Sequence, residues 1–135
     1  MLDAALVPAN TVITAKGDSD AIDVSVAIHR VFLMTLSVTA IVEQEAIEVS
    51  IFTSADGTTW DTKPFASLPQ KFYVGEYPLL LDLSAEPNVK FVRAHWEVNR
   101  WGRGPTTPRF EIALRLREVS AQDLQEARSE AQSRR

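Results

Sequence analysis

No cysteine occurs among the 135 residues of this chain. That excludes disulfides, thiolate nucleophiles and the usual thiolate zinc sites, and leaves packing as the source of stability. Histidine is nearly as scarce, with only His29 and His95 available to act as a catalytic base. No apolar run approaches the roughly 20 residues needed to span a bilayer, so membrane contact is not expected. Between Met1 and Ala15 the apolar residues are interrupted by Asp3, Pro8 and Asn10, and no basic cluster precedes them. A signal peptide is therefore not expected, and synthesis in the cytoplasm is. An excess of positive charge is missing as well: 14 Lys and Arg stand against 18 Asp and Glu, a formal net charge of -4. Nucleic-acid binding needs positive charge gathered against phosphates, which makes nucleic acid an unlikely main partner.

What is present describes one soluble globular domain. Hydrophobic residues make up 45% and charged residues 24% of a chain close to the usual single-domain size. Strand chemistry dominates from Asn10 to Val119. Phe32, Met34, Leu36, Val38, Ala40 and Val42 alternate with Thr35, Ser37 and Thr39, a period of two that sorts apolar side chains to one face of a strand. Ile47, Val49 and Ile51 repeat the pattern, with a turn expected at Gln44 and Glu45. Val92, Ala94, Trp96 and Val98 form one face of a later strand, and Arg93, His95 and Glu97 the other. Phe110, Ile112, Leu114 and Leu116 form the inner face of the last strand. Asp56-Gly57 supplies the positive φ of a reversal between strands. A first hairpin is expected from Thr11–Ala15 and Ala21–Ser25, and strand pieces at Phe72–Val74 and Leu79–Leu83.

These signals predict an all-β fold, an antiparallel sandwich of about seven to eight strands, jelly-roll or immunoglobulin-like. Residues 1–10 are expected to form an N-terminal arm, 11–119 the sandwich, and 120–135 a polar tail, helical or disordered. In that tail Ser120 and Asp123 resemble a capping box, and Leu124, Ala127 and Ala131 make a thin stripe.

Candidate sites are few. His95 lies between Arg93 and Glu97 and reads as one rung of a charged outer ladder. Asp18, Asp20 and Asp23 share a loop, but the spacing of a calcium-binding loop is absent and aspartate favours turns for conformational reasons, so no metal or cofactor is expected. Nothing resembles a nucleophile with its base or a phosphate-cradling glycine loop, and the chain reads as a protein that is not an enzyme. Aromatic and arginine residues in loops are the stronger signal. Trp101 sits in a Gly-Pro loop between Arg100 and Arg103, Trp60 follows the Asp-Gly turn, and Tyr73 and Tyr77 flank Gly75. With Leu124 of the tail, these are the candidate interface residues, because exposed rings and arginines anchor protein contacts.

Ser54-Ala55-Asp56-Gly57-Thr58-Thr59-Trp60, followed by Phe91-Val92-Arg93-Ala94-His95-Trp96-Glu97-Val98, resembles small β-sandwich structural proteins of tailed phages and prophages. The likeness runs from Thr11 to Val119, and the tail has no counterpart in it. The resemblance implies a head-associated, tail-associated or capsid-decorating subunit of a virion, made in a bacterial host. Such a subunit would act by forming homo-oligomers and docking onto other particle proteins. A carbohydrate-binding module that stacks sugars on exposed aromatic rings is the alternative.

Overall fold

The structure, a computed structural model, describes residues 2–41, 45–100 and 108–120. Among these, every regular element is a strand: β1 (Asp3–Ile13), β2 (Gly17–Asp18), β3 (Ile22–Asp23), β4 (Val31–Ile41), β5 (Glu45–Ser54), β6 (Ala66–Lys71), β7 (Gly75–Asp82), β8 (Phe91–Arg100) and β9 (Phe110–Glu118). Two antiparallel sheets result, one of four strands in the order β1-β9-β4-β7 and one of five in the order β2-β8-β5-β6 with β3 also on β8. The pairing is nested: β1 lies on β9, β2 and β3 on β8, β4 on β7, and β5 on β6.

Alternation explains which side chains meet between the sheets. Phe32, Met34, Leu36 and Val38 of β4, Ile47, Val49 and Ile51 of β5, and Phe110, Ile112, Leu114 and Leu116 of β9 are all buried. The intervening residues face outward, as the period of two requires. Trp96 shares the inner face of β8 with Val92 and Ala94, and its indole N–H donates to the carbonyl of Ala15 at 3.1 Å. Pro69 and Pro78 lie in β6 and β7, which are the edges of their sheets, where a missing N–H interrupts the fewest ladder bonds.

Several expectations need correction. Residues 3–10, expected as an arm, belong to β1 and pair with β9. Pro8 and Asn10, which look like strand breakers, instead build a bulge: the register slips between Val7 and Thr11, Asn10 takes a φ of 63°, and Thr11 Oγ1 donates to the Pro8 carbonyl at 2.7 Å. Thr11–Ala15 and Ala21–Ser25 do not pair as a hairpin, because β1 joins the four-stranded sheet while β2 and β3 line one edge of β8. The break between β2 and β3 comes at Ser19, whose hydroxyl accepts the Ala94 N–H at 2.9 Å in place of a ladder carbonyl. That interruption raises the strand count to nine. Phe72–Val74 is a loop rather than a strand, and Glu45 opens β5 rather than closing a turn. The tail from residue 121 lies outside the described residues.

The Asp-Gly signal marks a real reversal, although the connection from Ser54 to Ala66 is longer than a tight hairpin. Gly57 holds a φ of 80°, and an added Cβ would press on the Phe91 ring at 3.3 Å. Ser54 Oγ accepts the Gly57 N–H at 2.9 Å, while the Asp56 carboxylate accepts the N–H groups of Thr58 and Thr59 at 2.9 and 2.8 Å. Those two backbone donors, first Thr59 and then Thr58, lower the Asp56 pKa to about 2.

Candidate functional site

β4 starts opposite Asp82 and reaches Gly75 of β7 at Val38, so the loop before β4 and the loop before β7 lie at opposite ends of the sandwich. Both loops carry apolar side chains into solvent. Val26 and Ile28 are 73% and 74% exposed at one end. At the other, Phe72, Tyr73 and Val74 are 43%, 76% and 60% exposed.

The second loop is held in place. Tyr77 alternates inward from β7 and packs against the core, and its hydroxyl donates back to the Tyr73 carbonyl at 2.6 Å. Gly75 makes room for that return, since a Cβ there would meet the Tyr77 hydroxyl at 3.3 Å. Lys71 Nζ sits 4.6 Å above the Tyr77 ring, a cation–π contact on the opposite flank of the loop. The Phe72 and Tyr73 rings are 6.4 Å apart and inclined by 60°. The outcome is an exposed apolar tip whose backbone is already ordered, so binding through it incurs little further entropy loss.

Arg100 lies at this same end but serves a different purpose. Its guanidinium donates to Oε1 of Glu45 at 3.2 Å, and the same oxygen accepts the Arg109 N–H at 3.1 Å. Glu45 is fully buried, and the Arg100 side chain is only 15% exposed. One buried carboxylate thus ties down both ends of the segment between β8 and β9. Trp101 and Arg103 of that segment, and Leu124 of the tail, lie outside the described residues. Among the described residues, Trp60 is brought together with none of the other candidates. It comes back over the outer face of the five-stranded sheet, where the Arg93 guanidinium stacks on its ring at 4.4 Å. The Phe72 and Tyr73 rings, inclined by 60°, are not coplanar.

His95 stands on that same outer face. Its Nδ1 meets Asp18 and its Nε2 meets Glu97, both at 2.8 Å. Only the imidazolium can donate from both nitrogens, so the pair of carboxylates selects the charged ring. Partial burial pulls the His95 pKa down, but the hydrogen bonds from Glu97 and Asp18 prevail and hold it above its ordinary value near 6.5. A group with a raised folded pKa adds stability below its unfolded pKa and loses it as the pH rises through the folded one. We therefore expect the His95 ring to titrate above 6.5 by NMR, and Asp18→Asn to lower the midpoint. An unchanged midpoint in that variant would mean that Asp18 does not hold the charge. Asp18 thus engages His95 through one oxygen, and Asp23 accepts the Ser25 N–H at 2.8 Å, so these two aspartates serve separate local contacts.

A groove of about 550 Å³ crosses the outer face of the four-stranded sheet. Its floor includes Ala5, Thr35, Ser37 and Ala113, its wall includes Ala9 of the β1 bulge, and Arg115 closes it by a two-point ion pair with Asp3 at 2.8 and 2.7 Å. Among the described residues its lining contains no aromatic side chain. Compared with known proteins, the chain matches no family model and no curated protein.

Proposed function

We propose that this protein is a non-catalytic structural subunit of a phage-type particle, working by self-association and by docking onto other particle proteins. The observation that carries the reading is the ordered apolar tip at Phe72, Tyr73 and Val74, pinned by the Tyr77 hydroxyl. Exposed aromatic side chains on a rigid support are typical anchors of protein interfaces. A second exposed pair, Val26 and Ile28, sits at the opposite end of the sandwich. A subunit with two separate apolar ends can meet two neighbours at once, which assembly requires.

The strand order supports the same reading. Counted as one interrupted strand, β2 and β3 leave four strands in each sheet, paired as a long hairpin rolled on itself. That nesting supports the jelly-roll reading over the immunoglobulin one, and jelly rolls include viral capsid domains and lectins.

The test is the mass of the full chain in solution, by light scattering over a range of concentrations, for the wild type and for Tyr73→Ala combined with Val74→Ser. Both side chains are exposed, so the variant should unfold like the wild type. Loss of an interface anchor typically costs about 2 kcal/mol or more, so association should weaken by roughly 30-fold. A wild type that stays monomeric, or a variant that associates as before, would remove the support for the reading.

A further inference from the structure

The outer face of the five-stranded sheet holds a depression of about 260 Å³ that neither the core nor the apolar ends account for. Phe52, Arg93 and His95 form its floor, with Asp18 on one side and Asp61 on the other. The register creates it: Arg93 lies opposite Phe52 across β8 and β5, and Asp18 opposite His95 across β2 and β8. The connection after β5 then turns back along the strand, with Asp61 N–H donating to the Thr53 carbonyl at 3.2 Å and Thr53 Oγ1 donating to Asp61 Oδ2 at 2.9 Å.

The hydrogen-bonding capacity left over inside this depression is specific. Arg93 stacks on Trp60, and its Nε is sealed from solvent without a hydrogen-bond partner. Its guanidinium makes no ion pair among the described residues. An Nε with no accessible surface cannot itself meet a ligand, so the terminal nitrogens of Arg93 are the donors open to one. Asp61 uses Oδ2 for Thr53, and Asp18 uses Oδ1 for His95, which leaves the second oxygen of each carboxylate to accept. His95 has both nitrogens occupied and offers none.

We infer that this depression binds a single sugar ring, a neutral polyhydroxylated ligand. A hydroxyl both donates and accepts, so neighbouring hydroxyls can meet Arg93 and Asp61 together. An anion such as phosphate would face the carboxylates of Asp18 and Asp61, and an ammonium group would face Arg93. The Phe52 ring supplies an apolar patch for the C–H face of the ring. The volume lies below the roughly 300 to 1,000 Å³ of pockets for drug-sized ligands, which limits the occupant to one ring. Binding here is independent of the apolar tip at Tyr73.

The experiment is an NMR titration of the full-length, isotope-labelled protein with glucose, galactose, mannose and N-acetylglucosamine in turn, alongside inorganic phosphate and glycine. The expected result is saturable shifts of the Asp18, Asp61 and Arg93 amides and the Trp60 indole with at least one sugar, with a dissociation constant on the order of millimolar. Arg93→Met keeps an unbranched side chain at this position and removes the donors, and Asp61→Asn keeps the shape and removes the charge. Each should weaken sugar binding by about tenfold or more while the rest of the spectrum stays folded. No saturable shift with any sugar, or stronger saturation by phosphate or glycine, would overturn the inference, as would full binding in both variants.

Discussion

Replacing Glu45 with alanine is expected to destabilise the fold by about 3 to 5 kcal/mol, the range seen when one member of a buried ion pair is removed. Glu45 has no exposed side-chain surface, and its Oε1 receives both the Arg100 guanidinium and the Arg109 N–H. Without it, a largely buried guanidinium and a backbone donor lose an acceptor that water can replace only by opening the end of the sandwich. The cause can be isolated by a second variant. Replacing Glu45 and Arg100 together with methionine removes both charges and should recover much of the loss, because an apolar pair of similar volume avoids the desolvation of ions. The Arg109 N–H would still want a partner, so a deficit of about 1 to 3 kcal/mol should remain. Urea unfolding of the wild type, Glu45→Ala and the double variant measures all three. A single variant within 1 kcal/mol of wild type would show that the carboxylate is not holding this end closed.

Much of the fold was legible because the central strands alternate cleanly. The inner faces of β4, β8 and β9 follow the apolar sets read from the sequence: Phe32 to Val38, Val92 to Trp96 and Phe110 to Leu116 are buried at alternate positions, Ala40 and Val98 are half-buried, and Val42 lies outside the described residues. The same alternation, carried one step beyond the apolar residues, reaches Glu45 from Ile47, Thr53 from Ile51, and Glu118 from Leu116. All three are buried polar residues. The signal was in the sequence, but a carboxylate on a core face conflicts with the hydrophobic rule unless its partners are known. Those partners are distant or belong to the backbone, such as the Leu2 N–H on Glu118, and no local pattern announces them. Pro8 and Asn10 misled for a related reason: breaker chemistry also builds bulges, and only the pairing with β9 distinguishes the two.

The site was legible in composition and not in arrangement. Tyr73 and Tyr77 were singled out as rings around Gly75, and their joint role depends on Tyr77 pointing inward so that its hydroxyl can return to the loop. Arg100 read as a docking residue because it sits among arginines, yet the buried carboxylate opposite it in the β5–β8 register captures it. Trp60 and Arg93 are far apart in sequence, and their stacking follows from the way the Ser54–Ala66 connection folds back. Side-chain identity suggested recognition, and only long-range pairing decided which groups remain free for it.

At the other end of the sandwich, Glu118→Ala should release two segments at once and cost about 3 kcal/mol, since each hydrogen bond to a charged group contributes about 1.5 to 3 kcal/mol. Its Oε1 accepts the Leu2 N–H at 2.9 Å and its Oε2 the His29 N–H at 2.6 Å, joining the start of β1 to the loop before β4. Hydrogen exchange should therefore quicken at Leu2 and at His29 together, and not at the Tyr73 end. Burial pushes the Glu118 pKa up, but the N–H groups of His29, Leu2 and Ile28 outweigh it and hold the carboxyl below its ordinary value near 4.5. A depressed folded pKa adds stability above the unfolded pKa, and that stability disappears as the pH falls through the folded one. Glu118→Gln keeps an acceptor but cannot titrate, so its stability should fall less than that of the wild type between about pH 5 and pH 2. If the two lose stability in parallel across that range, Glu118 is not charged in the fold, and the N–H groups are satisfied by a neutral acid instead. A flatter acid limb together with faster exchange in Glu118→Ala would show that one charged carboxylate closes this end of the sandwich, as Glu45 closes the other.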